Sequence, residues 1–169
     1  FLAAIFIMAP ELSVSSILSD YKLWLIIIAS SAAIAGGYII NNFYDRDKDL
    51  LNRPQKTLLE NRVRRSTLWS VYFVVNGLAF ILGSVVSWRA GLFFAAYIFA
   101  MWFYSHKLKR VLLLGNLMSA LLAVLPFFVL FMYYKNFYPV IFVHGGFLFL
   151  ILGMRELVKD LENLRGDLV

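Results

Sequence analysis

The sequence predicts an all-α, polytopic membrane protein, folded as a transmembrane helical bundle. Of its 169 residues, 62% are apolar and only 15% are charged, whereas soluble domains carry roughly 45 to 50% apolar and about 25% charged residues. The apolar residues are grouped into blocks close to the roughly 17 to 25 residues that a helix needs to cross the hydrocarbon layer. The basic residues collect beside alternate blocks, as expected when a chain crosses the membrane repeatedly.

Five blocks contain no charged side chain and predict five spans. They are Leu23–Ile40, Leu68–Trp88, Ala90–Ser105, Val111–Tyr134 and Tyr138–Met154. The preceding stretch, Phe1–Pro10, is apolar from its first residue and has no initiator methionine or charged segment, so we interpret it as the end of an earlier span rather than a signal peptide. The sequence therefore predicts one transmembrane domain over residues 1–169, incomplete at both ends, with about five full spans and part of one more.

The distribution of charge predicts the orientation. If the spans alternate, one membrane face receives 13 of the 16 basic residues, and the positive-inside rule makes that face cytoplasmic. The other face receives Lys22, Arg89 and Lys135. Because the basic residues flank spans and form no separate polar domain, we expect contact with the lipid bilayer and no nucleic-acid partner. The chain has no cysteine, which excludes a disulfide scaffold or a thiolate metal site within this sequence.

Eight of the ten acidic residues fall on the same predicted face, most of them in two clusters. In the first cluster Asn41, Asp45 and Asp49 are four residues apart, so a continuing helix would align them in one stripe. The second cluster places four oxygen-bearing side chains at i, i+4, i+7 and i+11 on one helix face. They are Glu156, Asp160, Asn163 and Asp167.

These stripes need a compensating cation, because like charges one helical turn apart repel. Magnesium binds oxygen ligands, and typically one or two carboxylates together with substrate phosphates. The sequence therefore predicts two acidic stripes that bind a metal-bound polyphosphate. An EF-hand loop at Asp45 is excluded, since Leu50 stands where glycine is required and Lys56 where a bidentate glutamate is required. A cation channel is disfavoured by the basic neighbours Arg46, Lys48 and Arg53.

Three strings resemble the UbiA superfamily of intramembrane prenyltransferases, closest to its digeranylgeranylglyceryl phosphate synthase branch. The first is Asn41-x3-Asp45-x3-Asp49 followed by Asn52-Arg53-Pro54, which resembles the superfamily's first aspartate-rich motif. The second is Glu156-Leu-Val-Lys159-Asp160-Leu-Glu162-Asn163-Leu-Arg-Gly166-Asp167, which resembles the second motif. Between them, Tyr104-Ser105-His106-Lys107-Leu108-Lys109-Arg110 with Gly115-Asn116 is similar to the loop between spans four and five.

The resemblance implies a bundle of nine spans that uses Mg2+ to bind an allylic prenyl diphosphate. It implies transfer of a prenyl group, here geranylgeranyl, to a membrane-embedded or amphipathic acceptor such as the hydroxyl of a geranylgeranylglyceryl phosphate. An aromatic prenyltransferase of quinone or chlorophyll biosynthesis is the alternative within enzymes. A polytopic transporter or scaffold is the alternative of another class, but it gives no reason for two acidic stripes on one face.

Residue roles follow from the matched positions. We expect Asp45, Asp49, Asp160 and Asp167 to be the catalytic metal ligands. The substrate-binding candidates are Asn41, Arg53, Tyr104, Lys109 and Asn163. The superfamily's second motif usually has aspartate where this chain has Asn163, so whether Asn163 or Asp160 ligates the metal stays open. Asp47 lies off the stripe and is interpreted as a solvated acid. Five bases are interpreted as setting the topology: Arg62, Arg64, Arg65, Lys107 and Arg110.

Overall fold

The structure, a computed structural model, describes residues 2–52 and 64–166, and gives the backbone alone for residues 47–52, 110, 112 and 160–166. The described residues form helices and no strand. The helices are α1 (Val14–Leu18), α2 (Tyr21–Asn52), α3 (Arg65–Val86), α4 (Trp88–His106), α5 (Leu112–Tyr134) and α6 (Pro139–Gly166). A π-helical segment, Ala4–Met8, precedes α1, and a 3-10 turn, Leu108–Arg110, lies between α4 and α5. The all-α prediction is confirmed.

Within the described residues, four helical segments are long and apolar enough to cross a membrane. They are Tyr21–Arg46, Arg65–Val86, Leu113–Tyr134 and Pro139–Lys159. Each matches one of the predicted blocks, so the chain is a multi-pass membrane protein. The remaining block, Ala90–Ser105, forms most of the 19-residue helix α4, which is not among the four. Helix α4 has the charged Arg89 in its first turn and His106 in its last turn, so its polar groups include both ends of the helix.

The chain divides into two compact units, Trp24–His106 and Phe1–Leu23 together with Lys107–Val169. The first of these contains most of α2 with α3 and α4, and glycines allow its helices to approach closely. A Cβ atom on Gly36 would lie 2.5 Å from the amide of Asn76 on α3, and one on Gly37 would overlap Met101 on α4. Small residues commonly allow such close contacts between membrane helices.

A tight turn connects α3 to α4. Ser87 is extended, with φ −167° and ψ 154°, and its backbone N–H donates to the carbonyl of Gly83 at the end of α3. Its hydroxyl accepts a hydrogen bond of 3.1 Å from the N–H of Ala90 in the first turn of α4. Serine is among the residues preferred as an N-cap for this reason. Because the turn is so short, α3 and α4 are antiparallel neighbours, and the start of α3 lies at the same end of this unit as the end of α4.

The second unit contains the N-terminal segments with α5 and α6, and Asp20 is its main polar junction. Its Oδ1 accepts hydrogen bonds from the N–H groups of Lys22 and Leu23, at 3.1 and 3.4 Å, and so caps α2. Its Oδ2 accepts a 2.6 Å hydrogen bond from the hydroxyl of Tyr133 at the end of α5. Nearby, the amide of Asn136 donates to the carbonyl of Met8 over 2.7 Å.

Candidate active site

The first acidic motif lies on the last turns of α2. The helix continues without a break to Asn52, so Asn41, Asp45 and Asp49 are separated by successive helical turns and the predicted stripe is confirmed at the level of the backbone. The side chains of Asn41 and Asp45 are half-buried. The side chain of Asp49 and the whole of Arg53 lie outside the part that the structure describes, so their predicted roles stay predictions.

A row of aromatic rings joins α2, next to Asp45, to α3 and α4. Its members are Trp69, Phe43, Tyr44, His106 and Trp102. The ring of Phe43 packs edge-on against Trp69 of α3 at 4.9 Å and against its neighbour Tyr44 at 5.7 Å, measured between ring centroids. The guanidinium carbon of Arg65, at the start of α3, lies 5.9 Å from the centroid of the Phe43 ring, within cation–π range. Arg65, interpreted from the sequence as a base that sets the topology, thus contacts α2, the helix that carries the first acidic motif.

The same row continues to α4 through His106. Its imidazole stacks on Trp102 one turn earlier, at 5.5 Å and 5° between planes, and lies 5.3 Å from the ring of Tyr44. The Nδ1 atom of His106 is buried and has no hydrogen-bond partner among the described residues. Tyr104, a predicted substrate contact, is half-buried in the same final turns of α4. The sequence places His106 within one of the matched strings but indicates no role for it.

A small apolar crevice lies between α2 and α3. Its lining residues are Ile39, Ile40, Phe43, Leu68, Trp69 and Tyr72. Phe43 belongs both to this crevice and to the row of rings. Apolar and aromatic side chains of α2 and α3 thus pack together in the helical turns that adjoin the first acidic motif.

The second acidic motif lies on α6, which continues to Gly166. Glu156, Asp160 and Asn163 therefore share one helix face, as predicted, while Asp167 lies beyond the described residues. The side chains of Asp160 and Asn163 are not among those described either. Glu156 is placed: its side chain is 17% exposed, and its carboxylate lies 3.5 Å from Nη1 of Arg155 and 3.9 Å from Nζ of Lys159. The sequence placed Glu156 on the stripe without giving it a role.

The basic turn before α5 is held by a close backbone contact. A Cβ atom on Gly115 would lie 3.1 Å from the carbonyl oxygen of Lys109 and 3.3 Å from that of Leu108. The turn can therefore fold back onto the start of α5 because residue 115 has no side chain. Lys109, the predicted diphosphate contact, is half-buried in this turn.

The donor chemistry of the acidic motifs suits a hard divalent cation. Asn41 and Asp45 offer amide and carboxylate oxygens from adjacent turns of α2, and these oxygens are the ligand types that magnesium takes. No group of three or more histidine, cysteine or acidic side chains that could hold a metal occurs among the residues described. Four of the predicted ligand side chains fall outside that set: Asp49, Asp160, Asn163 and Asp167.

Comparison with known proteins identifies relatives over most of the chain. It is similar to the digeranylgeranylglyceryl phosphate synthase of Thermococcus gammatolerans, 31% identical over 168 residues, which cover 96% of this chain and 58% of the relative. The enzyme of the same name from Sulfurisphaera tokodaii is 30% identical over 149 residues, 87% of this chain and 54% of the relative. The enzyme of that name from Methanothermobacter thermautotrophicus is 27% identical over 148 residues, which cover 88% of this chain and 52% of the relative.

The chain thus spans a little more than half the length of these curated relatives. No solved structure matches it significantly. The model of the UbiA prenyltransferase family matches residues 1–169, the whole of the sequence. The chain belongs to the UbiA prenyltransferase family.

Proposed function

We propose that the full-length protein transfers a geranylgeranyl group from its diphosphate to the hydroxyl of a geranylgeranylglyceryl phosphate. The family match over the whole sequence carries this proposal. The curated relatives named digeranylgeranylglyceryl phosphate synthase support the choice of acceptor. The reaction class follows from the family, and the glycerophosphate acceptor follows from the names of these relatives.

The two acidic motifs bind the diphosphate of the donor through magnesium in this proposal. Asp45 and Asp49 supply carboxylates from α2, with Asn41 as an oxygen ligand or an orienting group. Asp160 and Asp167 supply carboxylates from the second motif, with Asn163 as a neutral oxygen donor. When bound, magnesium would neutralise the negative charge that develops on the departing diphosphate.

Basic side chains complete the binding of the diphosphate. Arg53 can contact two phosphate oxygens at once with its planar guanidinium, whereas Lys109 acts as a point charge. The backbone of Lys109 lies close to Gly115, so the turn that carries this lysine packs against the start of α5. Tyr104, half-buried in the last turns of α4, borders the bound substrates.

The chemical step is a substitution at the allylic carbon. The bond between that carbon and the diphosphate oxygen breaks, and the electron pair leaves with the diphosphate. The resulting allylic cation is captured by the glycerol hydroxyl oxygen, which forms the ether bond and passes its proton to the released diphosphate. Water would capture the cation if it reached the cation before the acceptor did. The apolar surfaces of the helices therefore serve to exclude water. We propose that this chemistry occurs at the cytoplasmic face, where most basic residues are predicted to lie.

The test uses membranes that contain the full-length protein, incubated with geranylgeranyl diphosphate, Mg2+ and a panel of acceptors. We expect mass spectrometry to detect a second geranylgeranyl ether on geranylgeranylglyceryl phosphate. Transfer to a hydroxybenzoate instead would replace the proposed acceptor by an aromatic one. Absence of transfer to every acceptor, with the protein intact in the membrane, would contradict the proposed enzyme activity.

A further inference from the structure

The imidazole of His106 is the polar member of the row of rings beside the first motif. Its ring is held on two sides, by Trp102 at 5.5 Å and by Tyr44 at 5.3 Å. Tyr44 precedes Asp45 in α2. His106 therefore contacts the helical turn that carries Asp45, the first proposed metal ligand. Both residues belong to the same compact unit.

The buried nitrogen of His106 needs a partner. Nδ1 is buried and is not hydrogen-bonded to any residue that the structure describes, and an unsatisfied buried polar atom costs free energy comparable to a lost hydrogen bond. Packing alone does not explain a histidine at this position, because phenylalanine could make the same ring contacts without burying a polar atom. The histidine is thus explained best by a hydrogen bond that forms in a ligand-bound state.

The surroundings select an anionic oxygen as the partner. The Arg65 guanidinium lies over the Phe43 ring, and Phe43 contacts Tyr44, whose ring lies against the imidazole of His106. An N–H donor between aromatic faces is shielded from water, and shielding strengthens its hydrogen bond to a charged acceptor. Both substrates of the proposed reaction carry such acceptors, because the donor is a diphosphate and the proposed lipid acceptor is a phosphate monoester.

We propose that Nδ1 of His106 donates a hydrogen bond to a phosphate oxygen of a bound substrate, while the Trp102 and Tyr44 rings hold the imidazole in place. This inference rests on the proposed function. It adds a second substrate-binding residue on α4, after Tyr104. Loss of a hydrogen bond to a charged group should weaken substrate binding on the order of tenfold or more.

The test compares two substitutions in the full-length protein. His106→Phe keeps the ring and its stacking but removes the nitrogen, whereas His106→Asn removes the ring but keeps a hydrogen-bonding group near the position of Nδ1. We expect His106→Phe to raise the KM for one substrate on the order of tenfold with little loss of kcat. We expect His106→Asn to retain more substrate affinity than His106→Phe does.

The measurements assign the phosphate. A raised KM for geranylgeranyl diphosphate, with weaker binding of inorganic diphosphate, assigns the hydrogen bond to the donor. A raised KM for the lipid acceptor, with weaker binding of glycerol phosphate, assigns it to the acceptor. Phe103→Ala is the matched control, because Phe103 stacks on Phe99 one turn earlier in the same helix, at 6.2 Å and 8°, and is 36% exposed. We expect both KM values of this control to stay at the level of the wild type.

Two outcomes would overturn the inference and leave the proposed function standing. One is wild-type KM values for both substrates in His106→Phe, which would make the nitrogen irrelevant. The other is a lower melting temperature with unchanged KM values, which would make His106 a packing residue. Failure of the wild-type protein to transfer a prenyl group at all would instead contradict the proposed function, so the two failures are distinguishable.

Discussion

The hydroxyl of Tyr133 donates a 2.6 Å hydrogen bond to Oδ2 of Asp20, which also caps α2 through its Oδ1. One carboxylate thus joins the end of α5 to the start of α2. Replacing Tyr133 by phenylalanine removes a hydrogen bond to a charged group, which typically contributes about 1.5 to 3 kcal/mol. We expect Tyr133→Phe to lower the free energy of unfolding by roughly that amount, measured by denaturation in detergent. Tyr138→Phe is the control, because Tyr138 is 62% exposed and should change stability by less than about 0.5 kcal/mol.

Gly36 should not tolerate a side chain. A methyl group there would lie 2.5 Å from the amide of Asn76, which is buried and donates a 2.8 Å hydrogen bond to the carbonyl of Tyr72. We expect Gly36→Ala to destabilise the protein by about 1 to 3 kcal/mol, the usual cost of overpacking, with a lower melting temperature.

Gly77 offers the matched control, since no described heavy atom lies within 4 Å of the position that a Cβ atom on Gly77 would take. Alanine in a helix interior is favoured over glycine by roughly 0.5 to 1 kcal/mol, so Gly77→Ala should leave stability unchanged or raise it. Equal losses of stability in the Gly36 and Gly77 variants would show that the close contact between α2 and α3 is not what limits residue 36.

Asp45→Asn should remove prenyl transfer while leaving membrane insertion intact. The substitution keeps the size of the side chain and removes its charge, which the proposed magnesium site requires. Loss of a group that only supports a metal ligand already costs about 10- to 100-fold, so we expect a loss of at least about 100-fold in kcat/KM. Asp20→Asn is the control, because Asp20 lies outside both motifs; its activity per folded molecule should keep the magnesium dependence of the wild type.

Asn163→Asp restores a carboxylate at the position where the resembling family usually has one. If Asn163 ligates magnesium or its water through the amide oxygen, added negative charge should strengthen the interaction. We expect the variant to need an equal or lower magnesium concentration for half-maximal transfer, read from a titration of activity. A loss of activity would show that the amide itself is required and would favour Asp160 as the ligand.

The helices were predictable because their information is local. The charge-free blocks match α2 to α6, and α2 continues beyond its apolar block, which is the condition under which Asn41, Asp45 and Asp49 form a stripe. The boundaries differ by only a few residues, apart from the polar ends of α2 and α6. Periodicity and capping residues lie within one or two helical turns, so a single sequence contains them.

The contacts between helices were not predictable in the same way. Tyr44 and His106 are far apart in the chain, and no spacing rule connects them, so the row of rings emerges only from the fold. Tyr133 shows the same limit, because its hydrogen bond to Asp20 depends on how α5 returns to the start of α2.

Binding of the diphosphate through magnesium is tested most directly by prenyl transfer in the full-length protein as free magnesium is varied. We expect a chelator to stop formation of the geranylgeranyl ether and added Mg2+ to restore it, while Asp45→Asn and Asp160→Asn stay inactive at every magnesium concentration. Transfer that continues at full rate in the chelator, or in either variant, would contradict binding of the diphosphate through the two acidic motifs.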